Sequence, residues 1–255
     1  MRDPRYDPTI ESLDQIVQRC SRDGERAGYF PAMYLAVTQT VRRRAEQGTF
    51  TSADGMERFV CAFAGRYLDA HDAWRASRPM PASWRLAFDA SRQWRPIILQ
   101  HLLLGMNAHI NLDLGVTAAS IAEPGALDAV RADFDAINDV LGELVDGCQN
   151  ALGEVSPWLG LVDRIGDRND ESLIRFSLRA ARNQAWNVAT RLAPLTGTAL
   201  DNAITGVDAT TTSVGNLVAH PGLFASALLL PVRSRERATP RAVMTLLAAV
   251  RPVGE

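Results

Sequence analysis

Between Pro96 and Leu114 the chain reads PIILQHLLLGMNAHINLDL, and the run is apolar on almost every side. A helix that is hydrophobic all round has to be enclosed by other helices rather than laid on a surface. That demand selects an all-α fold, a bundle wrapped around a buried central helix at about 96–114. The rest of the chain supplies the wrapping. Helical periodicity dominates and alternating strand patterns are nearly absent.

Thr9 to Asp23 reads as a first helix ending at Gly24, and Pro31 opens a second that closes on Arg42-Arg43-Arg44 before Gly48. Cations suit that C-terminal position because they oppose the helix dipole. Ser52 or Asp54 caps a third helix running through Phe59, Phe63, Tyr67 and His71, and Ser83 caps a fourth through Trp84 and Trp94. Asp128–Leu152 and Asp170–Leu192 are long and amphipathic, and a last helix spans Ala242–Val250. The Thr-, Gly- and Ala-rich stretch 201–218 fits no element clearly. The expectation is a single domain over 1–255 with about nine helices, since no repeat or linker divides it.

Composition narrows the function classes. The chain has 255 residues, 47% hydrophobic, and a net charge of −2. No basic field draws nucleic acid or an anionic membrane, so neither is an expected partner. All 27 basic residues are arginine, a bias expected of a high-GC genome. Cys20, Cys61 and Cys148 form no CxxC pair, and the polar start Met1–Thr9 has no apolar leader core. Both features point to a reduced, cytoplasmic protein. No apolar run is long enough to span a bilayer.

Chemistry concentrates on the buried run. His109 and Asp113 lie about 40° apart and one turn from each other, so both side chains reach one point. That point is either a divalent metal such as zinc or a proton relay in which Asp113 fixes the tautomer of His109. His101 is on the same broad face but roughly 12 Å away along the axis, too far to share one ion, so as a catalytic candidate it serves a second site or supports the first. Asn107 and Asn111 form an opposite polar stripe. It either pins neighbouring helices or, at Asn107, meets a substrate. Buried without partners, such groups would cost about 1–3 kcal/mol each.

Two further clusters are candidates. Asp69, His71 and Asp72 offer a second set of metal ligands to complete a site begun by His109 and Asp113. Arg179, Arg182, Asn183 and Trp186 follow helical spacing and form a stripe suited to a carboxylate or phosphate. His220, before Pro221-Gly222, reads as a turn residue. The chain has no GxSxG elbow, P-loop, GxGxxG or HExxH, and no paired Glu-x-x-His of a diiron protein.

The segments HLLLGMNAHINLDL (101–114), SPWLGLVD (156–163) and ARNQAW (181–186) together resemble an uncharacterised all-helical family common in actinobacteria. The resemblance covers most of the chain and implies a helical fold but no activity. A more distant similarity is to the zinc-dependent phospholipase C and P1 nuclease fold, which places a His-x-x-x-Asp pair on a core helix. It would make His109 and Asp113 zinc ligands. The N-terminal tryptophan and the downstream histidine ligands of that fold have no counterpart here.

Three readings follow. The first is a metal-dependent hydrolase of a small anionic or ester substrate, with His109 and Asp113 as ligands and Arg179 and Arg182 holding the anion. The second is a metal-free small-molecule site in secondary metabolism, a cyclase or isomerase using His109 and Asp113 as an acid–base dyad, with Trp84, Trp94, Trp158 and Trp186 as walls. The third is a non-enzymatic protein whose polar residues only set helix register.

Overall fold

The structure is a computed structural model that describes residues 6–121, 127, 131–156 and 170–251. The fold is all-α, and no strand occurs among the described residues. The helices are α1 (Tyr6–Asp23), α2 (Tyr29–Glu46), α3 (Ala53–Arg75), α4 (Ala82–Ser91), α5 (Ile98–Ala108), α6 (Gly115–Ile121), α7 (Arg131–Val155), α8 (Asp170–Leu192), α9 (Gly197–Ala219), α10 (Leu223–Arg235) and α11 (Pro240–Ala248). A π-helical turn, His109–Leu114, joins α5 to α6. The count exceeds the nine expected for two reasons. The long apolar run changes winding at the π turn, and the doubtful 201–218 stretch lies inside one full helix, α9.

Local chemistry sets several boundaries as expected. Gly24 (φ 69°) and Gly48 (φ 77°) end α1 and α2 in the left-handed region that glycine enters freely. The Ser52 hydroxyl accepts the Gly55 N–H at 3.0 Å and caps α3. At α4 the cap comes from elsewhere. Asp208, on α9, accepts the Ala82 N–H at 2.6 Å, the Ser83 N–H at 3.0 Å and the Ser83 hydroxyl at 2.6 Å. A carboxylate there satisfies free amides and opposes the dipole, and it ties two distant helices.

The central element is buried as its composition demands. Leu102, Leu104, Ala108, Leu112 and Leu114 are all at most 2% exposed. α2, α4 and α9 pack on α5, while α3, α8 and α9 pack on the π turn. Gly105 has a packing reason. A Cβ there would sit 2.6 Å from the Phe30 ring, so only glycine lets α2 press against α5. At Gly115 a Cβ would meet the Ala185 carbonyl at 2.7 Å, which lets α6 and α8 approach closely.

Candidate functional site

The π turn carries the pair singled out by spacing. A π turn holds more residues than an α turn, so side chains four apart come closer to one direction. His109 Nδ1 lies 3.1 Å from Asp113 Oδ2, and the Trp84 indole N–H donates to the same oxygen at 2.9 Å. The carboxylate acts as acceptor for both, so Nδ1 carries the ring proton and Nε2 keeps its lone pair. Burial holds His109 below its usual pKa, against the opposing pull of Asp113, and the ring is neutral at pH 7.

Around this pair the core is aromatic. Phe63 stacks on the His109 ring at 3.6 Å, Tyr34 meets it edge-on at 4.5 Å, and Phe30 and Trp84 follow at 5.5 Å and 6.1 Å. Tyr67 packs on Phe30, Tyr34 and Trp84. Within this shell His109 Nε2 and the Tyr67 hydroxyl have no hydrogen-bond partner although they are shielded from solvent, and the Tyr34 hydroxyl has only a weak contact with the Thr38 side chain. Burial raises both phenol pKa values, and the Asp113 charge adds to the rise at Tyr34. Two unsatisfied polar atoms in one aromatic cluster are unusual, because buried polar groups are nearly always paired. Spacing pointed to His109 and Asp113, and Trp84 entered only as one of four candidate walls. Spacing missed Tyr34, Phe63 and Tyr67, whose helices give no sign of facing a histidine.

The metal set divides. Asp69 and Asp72 are exposed, while His71 is buried against Tyr67, Trp74 and Phe88 and its Nδ1 lies 3.4 Å from Asp72. None of the three joins His109 and Asp113. Among the described residues no three His, Cys, Asp or Glu side chains gather to hold a metal. The carboxylate of Asp113 is already engaged by two donors, so its geometry is that of a partner to His109.

The arginine stripe also divides. Arg179 and Asn183 are exposed, whereas Arg182 is 3% and Trp186 7% exposed. Arg182 donates to the Phe134 carbonyl at 2.6 Å and lies over the Phe134 ring, with burial lowering its pKa to about 10. It clamps α8 to α7 and does not share a surface with Arg179. Trp158, one of the candidate walls, lies outside the described residues. Trp94 is 56% exposed, far from any enclosed wall. Asn107 donates to the Thr211 carbonyl at 2.9 Å and accepts from Asn111 at 2.9 Å, so it pins α9 to α5 rather than facing a ligand. His220 is an exposed residue capping α9.

Beneath Asn111 a separate cleft of about 480 Å³ runs between α8 and α9, walled by Val188, Leu192, Ala203 and Val207. No described helix is long and apolar enough to cross a membrane.

A model of a family of unknown function, DUF5995, matches residues 6–221. The chain belongs to the DUF5995 family. The match takes in α1 to α9, and with them His101, His109 and Asp113, and ends before α10 and α11. No curated protein and no solved structure matches the chain.

Proposed function

We propose that His109 and Asp113 form the acid–base element of a small-molecule site, in which Nε2 exchanges a proton with a largely apolar ligand seated among Tyr34, Phe63, Tyr67 and Trp84. One observation carries the reading. Nδ1 is held by a carboxylate while Nε2 stays buried, neutral and without a partner. That is the arrangement of an oriented general base. The reaction class is proton transfer without a nucleophile on the protein, an isomerisation or cyclisation. The hydroxyls of Tyr34 and Tyr67 are the groups able to donate to a ligand oxygen.

Phe63 is the only partly exposed ring among those stacked or edge-on to His109, so it is the wall through which a ligand enters. The reading of a metal-dependent hydrolase needs further ligands beside Nε2, and the described residues bring no third one there.

The test combines ¹⁵N-imidazole spectroscopy with a metabolite thermal-shift screen on the full chain. A true ligand shifts the His109 ring resonance and raises Tm, and its effect disappears in His109→Gln and Asp113→Asn. Phe63→Ala speeds its association. A screen in which every stabilising compound acts equally on wild type and His109→Gln would sink the reading.

A further inference from the structure

A second candidate site lies toward the other end of α5. His101 is 6% exposed, and the one hydrogen-bond contact of its ring is a weak one to the Pro96 carbonyl. It lines a cavity of about 70 Å³ together with Arg26, Tyr29, Pro96, Arg233 and Glu236. The Tyr29 ring meets it edge-on at 5.8 Å. A volume of that size holds two waters at ~30 Å³ each, or one small planar anion.

The charges around the cavity do not balance. Glu236 is fully engaged. Its two oxygens accept the Ile98 N–H at 3.1 Å each, and one accepts the Ser156 hydroxyl at 2.6 Å. Arg233 approaches the same carboxylate at 3.7 Å and spends its other bonds on the carbonyls of Trp94 (2.6 Å) and Glu236 (3.2 Å). Arg26 donates only to the carbonyls of Ser91 (3.5 Å) and Gln93 (3.1 Å), and no acidic partner pairs with it among the described residues. Two guanidiniums therefore face one carboxylate, beside a neutral imidazole with an N–H to give.

We propose that this cavity binds a small monocarboxylate, of the size of formate, acetate or bicarbonate, held by Arg26, Arg233 and a His101 N–H. One negative charge completes the local balance, and a planar carboxyl group suits both the guanidinium fork and the limited volume. A tetrahedral dianion meets the Glu236 carboxylate and is disfavoured. The site is independent of His109, which lies roughly 12 Å further along the helix.

The experiment titrates the full chain with sodium formate against sodium chloride at constant ionic strength, reading Tm and the relaxation of ¹³C-formate. The expected result is a saturable rise in Tm with formate and none with chloride. Arg26→Met is expected to weaken formate about tenfold or more, the loss of one charge-assisted hydrogen bond. His101→Phe fills the cavity and is expected to abolish the response while the protein stays folded. If Arg26→Met fails to fold, Arg26→Lys keeps the charge without the fork and still has to weaken formate. An equal response to chloride, an unchanged response in His101→Phe, or inorganic phosphate displacing formate would each overturn the proposal.

Discussion

His101 and His109 sit on one continuous run of helix, both buried, both neutral, and they are held in opposite ways. His109 is oriented by a carboxylate, and Asp113 pulls its pKa back up against burial. His101 has burial lowering its pKa first and the charges of Arg26 and Arg233 lowering it further, down to about 3. One imidazole is a poised base with a fixed tautomer. The other is a neutral donor in a positive cavity. The same residue type on the same helix thus acquires two chemistries from what the flanking helices bring, α3 and α4 on one side and the α10–α11 connection on the other.

The largest difference between the two is expected on truncation. Asp113→Ala leaves the Trp84 indole and the His109 ring as two buried donors without an acceptor, and is expected to cost about 3–5 kcal/mol in urea unfolding. His101→Phe removes an imidazole whose one hydrogen-bond contact is a weak one to the Pro96 carbonyl and extends into space already there. It is expected to change stability by no more than about 1 kcal/mol. Equal costs for the two variants would erase the distinction.

Acid stability sharpens the comparison next. The pKa values of His71, His101 and His109 are all lowered from 6.5 in the folded state. As pH falls below 6.5 the unfolded chain takes up protons that the folded chain refuses, so stability declines by up to about 1.4 kcal/mol per pH unit for each. Glu236 works with the opposite sign. Burial raises its folded pKa above 4.5, so its contribution is present below that value and is lost as pH rises through the folded one. His101→Phe is expected to flatten the acid limb by one histidine's share between pH 6.5 and about 3, read from urea midpoints across that range. An unchanged slope would mean that His101 is protonated in the folded protein.

A smaller effect belongs to the aromatic shell. The Tyr67 hydroxyl is buried and unpartnered, so Tyr67→Phe is expected to leave the free protein unchanged or stabilise it by up to about 1 kcal/mol. The same variant is expected to weaken any ligand that shifts the His109 resonance. A clear loss of stability in the free protein would place a structural water or hidden partner on that hydroxyl instead.

Much of this was legible because it depends on local pattern. The apolar run at 96–114 demanded enclosure, and the His109–Asp113 pair survives in the structure because residues four apart share one face of a helical turn. The Asn107–Asn111 stripe likewise pins α9 as one of its two readings held. The failures are of other kinds. Periodicity carries no sign of the π turn, which packs against α3, α8 and α9. The 201–218 stretch hid its helix because threonine and glycine are poor helix formers, and it is packing on α4 and α5 that holds the helix, with the Thr205 and Thr212 hydroxyls bonding back to the Asp201 and Asp208 carbonyls. The arginine stripe was read as one face, yet α8 turns Arg182 and Trp186 inward against Phe134 while Arg179 and Asn183 stay in water. Sequence spacing fixes which residues share a stripe, and only the neighbouring helix decides how far inward that stripe is buried.

The smallest expected effect concerns the discarded metal cluster. Asp72 is 70% exposed, and its contact with His71 is long, at 3.4 Å. Water screens such a pair, so the double variant Asp69→Asn, Asp72→Asn is expected to stay within about 0.5 kcal/mol of wild type. It is also expected to leave the His109 ring resonance unmoved, because the aromatic core of Tyr67, Trp84 and Phe30 stands between the two groups. A shift of that resonance, or a change in its response to added zinc, would show that the two clusters communicate. It would return His109 to the metal chemistry that the spacing first suggested.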